Sequence, residues 1–412
     1  MKGIALINAN SLHIPLAAQS VHMIATSPPY FGLRDYGVAD QLGLEPLHDC
    51  LAWAKGGEPC GRCFVCDLRL VARELWRVLR DDGTMWLNLG DSYARSPKKG
   101  GSGPGGKEQD WYGDNYGAAR GAEIPEGMKQ KDLMGVPWRV ALALQADGWT
   151  LRSDVIWSKP NPMPESVTDR PTKAHEYVFL FSKRAKYFYD HHAVKEPSKA
   201  DWGTRDRSNG KYHNKGSGLT PHSGLSKSYV MANKRTVWNV ATKPYPGSHF
   251  ATWPPDLVEP MIEASTSEAG VCSACGRQWV RVVTRGEVVP IPGNPNPVKE
   301  YAAASGHSNG QGKTTLHRTR PVIESSFEPA CACGCSPVPA VVLDPFAGSG
   351  TTLMVARRLG RAGIGLDLSL PYLLEQARPR LLKESLPLPE ISGGVLNSLE
   401  HHQRQTRLPL GF

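Results

Sequence analysis

The sequence predicts a doubly wound α/β fold, a Rossmann-like sheet with helices on both faces, and three observations predict it. Short apolar runs recur along the chain, separated by segments of helical periodicity. Two of those runs end in loops of proline or glycine, the place where such sheets hold ligands. The stretches between them that are too polar for a core read as inserted loops and cysteine-rich modules.

The first strand is Gly3-Ile4-Ala5-Leu6-Ile7. The second, Val21-His22-Met23-Ile24-Ala25, runs into Thr26-Ser27-Pro28-Pro29-Tyr30, where paired prolines stop the strand and fix an extended loop. Leu68, Val71, Leu75, Val78 and Leu79 share a helical face, and Asp82-Gly83 ends that helix. Residues 85–89 read as a buried strand leading to Gly90-Asp91-Ser92, and 132–146 as a helix that tolerates Pro137 near its start. Residues 151–157 and 177–182 read as strands, and 256–264 as a helix. The pattern resumes with a strand at 340–344, a helix from Thr351 through Leu359, the strand Ala362–Asp367 and a last helix at 372–384.

Residues 95–128, 191–235 and 276–330 read as irregular, because Gly, Ser, Asn, Pro and basic residues replace any periodicity. The body is therefore 1–49, 67–190, 236–271 and 338–388. A cysteine-rich insert (50–66), a basic insert (191–235) and a ribbon-like insert (272–337) interrupt it, and 389–412 is a tail.

Composition narrows the class. A chain of 412 residues with 40% hydrophobic and 21% charged residues can bury a sizeable core. No apolar run reaches the roughly 18 residues of a membrane span. The N-terminal 25 residues are broken by Asn8, Asn10, His13 and Gln19, so they read as strand and helix rather than signal peptide. A cytoplasmic protein with no membrane partner is expected. The net charge of +9 is modest, so its location matters more than its size. Residues 191–235 concentrate it, with nine Lys+Arg against three Asp+Glu.

The nine cysteines fall in two groups. Cys50, Cys60, Cys63 and Cys66 have the spacing C-x9-C-x2-C-x2-C. Cys272-x2-Cys275 pairs with Cys331-x-Cys333, the favoured partner, or with Cys333-x-Cys335. Without a secretory signal, such spacings point to metal rather than disulfides, and four convergent thiolates suit a structural Zn²⁺. A closed four-thiolate site has no open position for catalysis. Free buried thiols are the alternative.

Two loops carry candidate chemistry. In Val341-Val342-Leu343-Asp344-Pro345-Phe346-Ala347-Gly348-Ser349-Gly350-Thr351-Thr352, Gly348 and Gly350 let the backbone approach a ligand where a Cβ would collide. Thr351 and Thr352 are placed to cap the following helix. Asp367 ends the next strand 23 positions after Asp344, the spacing of an acid that takes a pair of ribose hydroxyls. A dinucleotide fingerprint would need glycine where Leu353 stands. The Thr26–Tyr30 loop offers the Ser27 hydroxyl, the rigid carbonyl after Pro28 and the ring face of Tyr30.

TSPPY early and DPFAGSGTT late together resemble the beta-ordered cytosine-N4/adenine-N6 DNA methyltransferases, in which the catalytic region precedes the cofactor region. Leu87–Tyr93, Ile156–Asn161, Arg170-Pro171-Thr172 with His175-Glu176, and His249–Pro254 also match, so the resemblance spans most of 1–190 and 236–385. It implies a methyltransferase sheet and transfer of a methyl group from S-adenosylmethionine to an exocyclic amino group of a base. That nitrogen's lone pair is delocalised into the ring; acceptors at its N–H bonds, here Ser27 and the carbonyl after Pro28 in the rigid Pro28-Pro29 turn, rehybridise it, while Tyr30 offers a ring face to the flipped base. No cysteine nucleophile is required. The resemblance also implies cofactor contacts by Asp344, Phe346, Gly348, Gly350, Thr351 and Asp367, with Phe250 closing the other side. Asn10 stands where members often carry Gly-Asp. Serine at position 27 leans toward cytosine N4, since adenine enzymes of the group more often have Asp there.

In this reading 191–235 is the target-recognition insert, with Arg205, Arg207 and Lys211 on the phosphates of double-stranded DNA. Restriction-modification, with a companion endonuclease, is the implied setting. Adenine N6 stays open, as do an enzyme acting on RNA or protein amides and a non-catalytic zinc-containing DNA-binding protein. Nucleoside mass spectrometry and a cofactor-binding measurement separate these readings.

Overall fold

A computed structural model describes residues 3–32, 37–45, 47, 57–94, 124, 127–197, 231–243, 252–290 and 319–383. Its elements run in chain order from β1 (Ile4–Asn8) and β2 (Val21–Thr26) to α1 (Phe64–Val78), β3 (Leu79–Leu89) and α2 (Val136–Ala146). β4 (Thr150–Ser158), β5 (His175–Ser182), the short β6 (Glu196–Pro197) and β7 (Met231–Ala232), β8 (Val237–Asn239) and α3 (Pro255–Ser265) follow. Next come β9 (Val271–Cys272), β10 (Val280–Pro290), β11 (Thr319–Glu328) and β12 (Pro337–Val338). The chain returns through β13 (Val341–Asp344), α4 (Thr351–Arg358) and β14 (Ala362–Asp367). It closes on α5 (Leu370–Tyr372), a π turn (Leu373–Ala377) and α6 (Arg378–Lys383).

Eight strands form one sheet in the order β1-β14-β13-β2-β3-β5-β4-β8. The pairs from β1 through β3 are all parallel, and β5 runs against both β3 and β4. Crucially, β13 and β2 are parallel neighbours, Val342 beside Met23 and Leu343 beside Ile24. Two loops from opposite ends of the sequence therefore leave the sheet at the same edge, side by side.

Period-two alternation supplies both faces of the sheet. Ile24, Met85, Leu343 and Leu366 join the core under α1 and α2, with Leu68, Val71, Leu75, Val140 and Leu144. Met23, Ala25, Trp86 and Val342 point the other way, into the core under α3 and α4 with Leu257, Met261, Leu353 and Met354. A fully buried aliphatic side chain contributes roughly 1.5–3 kcal/mol, so this double-faced burial fixes the register of the inner strands. The doubly wound expectation holds. Among the described residues, no helix is long and apolar enough to cross a membrane.

Four local readings are corrected. Helix α1 begins at Phe64, so Cys66 lies on it rather than ahead of it. Asp82 and Gly83 lie inside β3, which follows α1 without a loop; a Cβ at Gly83 would stand 2.8 Å from the His22 carbonyl, so only glycine lets these strands meet. The helix expected from residue 132 starts at Val136, where Asp91 Oδ1 accepts the Val136 N–H at 3.1 Å. Residues 280–290 and 319–328 are not irregular: they form the antiparallel β10–β11 ribbon. The β-branched run Val280-Arg281-Val282-Val283-Thr284 was the signal for it. Within the expected basic insert, β6 and β7 pair antiparallel, Glu196 beside Ala232 and Pro197 beside Met231.

Candidate active site

The two motif loops meet in one cavity of about 210 Å³. Ser27 and Pro29 line it from the β2 loop, and Phe346, Ala347, Gly348, Ser349 and Thr351 from the β13 loop. Asp367 and Asn10 line it as well.

Its back is a buried staple. Asp344 is 2% exposed and takes the Thr26 hydroxyl at 2.8 Å on Oδ1, the Phe346 N–H at 3.1 Å on the same oxygen, and the Thr352 hydroxyl at 2.5 Å on Oδ2. Burial raises its carboxyl from 3.8 to about 6 despite those donors. Thr352 thus ties the first turn of α4 to the end of β13, and the cap of α4 is Gly350 in a left-handed conformation (φ +77°). Neither Asp344 nor Gly350 lines the cavity; both shape the wall from behind.

Asp367 holds the turn that faces it. Its Oδ2 accepts the Gly348 N–H at 3.0 Å and its Oδ1 the Ser369 N–H at 2.9 Å, while burial raises its carboxyl. Each oxygen keeps a lone pair for a ligand hydroxyl. Asn10 turns its Oδ1 to the Leu12 N–H at 2.9 Å. Phe250 lies outside the described residues, but Thr252 and Trp253 beyond it line the cavity. Ser11, Leu12, Val38, Asp40, Gln41, Leu42, Leu368 and Tyr372 also line it and were not anticipated. The Asp40–Leu42 contribution had no sequence signal, since it depends on how a loop folds back.

The Tyr30 side chain points inward. Its hydroxyl donates to Glu176 Oε2 at 2.6 Å and accepts from Asn88 Nδ2. Burial first, then the Glu176 charge, raises its pKa well above 10. Gly90 is required beneath the ring, because a Cβ there would lie 2.6 Å from Tyr30 Cε2. Lys159 pairs with Glu176 Oε1 and rests over the Trp157 ring at 4.4 Å.

The cysteines gather away from the cavity. The sulfurs of Cys272, Cys275, Cys331 and Cys333 lie within 4.8 Å of one another, as do those of Cys60, Cys63 and Cys66; Cys50 lies outside the described residues. Thiolates around a tetrahedral zinc at about 2.3 Å stand roughly 3.8 Å apart, so the donor set fits. The N–H groups of Cys275 and Ala274 draw the Cys272 thiol down to about 6. Hydrogen bonding to Cys275, then to Cys331 and Cys272, pushes Cys333 to about 12; sulfurs this close cannot all ionise without a cation among them. Cys335 Sγ turns instead to the Cys333 carbonyl at 3.4 Å. His22 ties this module to the sheet. The Val341 N–H donates to its Nδ1 at 3.0 Å, so its proton sits on Nε2 and is donated to the Gly276 carbonyl at 3.0 Å. Arg205, Arg207 and Lys211 lie outside the described residues.

Known proteins align with this arrangement. A family model described as a DNA methylase, of the N6/N4 methyltransferases, matches residues 21–273 and 320–377. The type II methyltransferase M.XycI of Xanthomonas campestris pv. cyanopsidis is 40% identical over 311 residues, covering 71% of this chain and 87% of that one. M.Cfr9I of Citrobacter freundii is 39% identical over 310 residues, covering 71% and 88%. M.SmaI of Serratia marcescens is 43% identical over 251 residues, covering 60% and 69%. With that family model matched over residues 21–273 and 320–377, the chain belongs to the N6/N4 DNA methylases and is a DNA methyltransferase of the type II group.

Proposed function

We propose that this enzyme methylates the exocyclic amino group of a base in double-stranded DNA, with cytosine N4 the favoured atom and S-adenosylmethionine the donor. One observation carries the reading: Ser27 and Pro29 open onto the same cavity as Gly348 and Asp367. Asp367 would take the ribose hydroxyls, and Gly348 would let the backbone close on the rest of the cofactor, with Asn10, Phe346 and Thr351 around it. Asp344 and Gly350 would serve indirectly by shaping the wall, and Phe250 would close the far side. Bound there, the cofactor would supply an electrophilic methyl group. Ser27 Oγ and the carbonyl after Pro28 would accept the amino N–H bonds of a base taken out of the stack, turning its lone pair toward that methyl group.

Serine at position 27 supports cytosine N4. Mass spectrometry of nucleosides from DNA treated with the enzyme tests this: N4-methylcytosine is expected, and N6-methyladenine would overturn the choice of base. Arg205, Arg207 and Lys211 would neutralise phosphates, so their joint replacement should flatten the salt dependence of binding. Structural Zn²⁺ would sit on Cys272, Cys275, Cys331 and Cys333, and a second on Cys50, Cys60, Cys63 and Cys66. The cytoplasm, where thiols stay reduced, is the expected place of action. A companion restriction endonuclease of the same recognition sequence would complete the system.

A further inference from the structure

Four strands converge on a partly buried polar chain behind the Ser27 loop. Asn88 is the last residue but one of β3, Lys159 follows β4, Glu176 is the second residue of β5, and Tyr30 lies in the loop after β2. Ser27 Oγ lies 3.4 Å from Tyr30 Oη, which lies 2.6 Å from Glu176 Oε2. Asn88 Nδ2 donates to the Tyr30 oxygen and to Glu176 Oε2, the latter at 2.8 Å. Lys159 takes the other carboxylate oxygen. Of these five residues, only Ser27 lines the cavity.

The direction of each proton follows from the donor and acceptor inventory. The carboxylate of Glu176 has no proton to give, so the Tyr30 hydroxyl must donate to it. With that proton committed and Asn88 donating in, the Tyr30 oxygen receives from Ser27. The Ser27 hydrogen is then turned away from the cavity, and its lone pairs face the incoming amino group.

We infer that Glu176, acting through Tyr30, is a positioning residue that sets the polarity of Ser27 and makes it an acceptor for the base N–H. The inference rests on the role proposed for Ser27. The isosteric change Glu176→Gln is the informative one, because the amide it introduces can donate to Tyr30. Tyr30 would then donate to Ser27, and the Ser27 proton would point into the cavity toward an N–H, donor against donor. The shape of the site stays; its polarity reverses.

The test is single-turnover transfer of tritiated methyl groups from S-adenosylmethionine to genomic DNA from a methylase-free host, with cofactor affinity measured by calorimetry. Glu176→Gln should lower the transfer rate about 10- to 100-fold, the scale of a misplaced reacting group. Cofactor Kd should stay within about twofold of wild type, since no cavity wall moves. Tyr30→Phe should fall by a similar factor, and the double variant should fall no further than the worse single, because one chain cannot be broken twice. A Glu176→Gln enzyme with wild-type rate overturns the inference, and so does one whose cofactor affinity and rate collapse together. Should Glu176→Gln not fold, Tyr30→Phe decides by the same two readouts. A Ser27→Ala enzyme that methylates normally would sink the reading of Ser27 itself; an inactive Ser27→Ala beside a fully active Glu176→Gln would sink only the role of Glu176.

Discussion

Thr26 and Asp344 stand 318 positions apart in the sequence and share a 2.8 Å hydrogen bond. Adjacent parallel strands put them there: β13 ends at Asp344, β2 ends at Thr26, and the register aligns the two ends. The side chain just before Ser27 is thus fastened to the residue that leads into the glycine loop.

Burial of the carboxyl, which outweighs the hydrogen bonds it accepts, makes Asp344 a source of pH dependence. A carboxyl raised from 3.8 to about 6 binds its proton more tightly in the folded state. Its stabilising contribution is full below 3.8 and is lost as pH rises through about 6, by roughly 3 kcal/mol at 1.36 kcal/mol per unit. Asp344→Asn removes the titration and keeps the shape. The melting temperature of wild type minus that of the variant should therefore shrink between pH 4 and 6.5 and stay flat above. A difference independent of pH would refute this account.

Neighbouring residues should respond differently. Ser27→Ala removes an acceptor proposed to face the base, so transfer should drop about 100-fold with cofactor affinity kept, since Gly348 and Asp367 are untouched. Thr26→Val should instead lower stability by about 1–3 kcal/mol, because a buried carboxylate loses one of its donors. Thermal melts and single-turnover rates on the two variants check the split. A Thr26→Val protein as stable as wild type would contradict the staple.

The sheet and both motif loops were legible because their signals are local: period-two apolar runs, a proline pair, a glycine turn. Glu176 was visible as part of a His-Glu match, but its partners Tyr30, Asn88 and Lys159 come from three other strands, and no spacing announces that. The β10–β11 ribbon was missed because Gly, Ser and Asn in the intervening stretch outweighed the short valine-rich run that starts β10, and β11 shows no alternation of its own. Thr352 looked like a helix cap because threonine before an apolar run usually is one; a buried acid eight residues earlier claimed its hydroxyl instead.

Gly90 connects strand geometry to catalysis. A Cβ there would lie 2.6 Å from Cε2 and 2.8 Å from Cδ2 of Tyr30, and the ring cannot yield while Glu176 and Asn88 hold its hydroxyl. Gly90→Ala should cost about 1–3 kcal/mol of stability through overpacking and lower transfer about 10- to 100-fold. With Tyr30→Ala added, the double variant should lose less stability than the two single losses added together, because the clash disappears with the ring, and the rate should not recover. Equal melting temperatures for Gly90→Ala and wild type would show that the ring moves freely.

The metal proposal turns on which thiols converge. Cys335 faces the Cys333 carbonyl, outside the group of Cys272, Cys275, Cys331 and Cys333, so Cys335→Ser should leave the zinc content unchanged. Cys272→Ser should lower it by about one ion per chain and lower the melting temperature, because ligand-linked folding energy is lost with the ion. The loss should reach the active site. Gly276 in the same turn bonds His22 on β2, whose other nitrogen takes the Val341 N–H of β13, and those two strands carry both motif loops. Elemental analysis, melts and transfer rates on the two serine variants provide the check. Equal zinc loss in both variants, or none in Cys272→Ser, would rule out this four-thiol site.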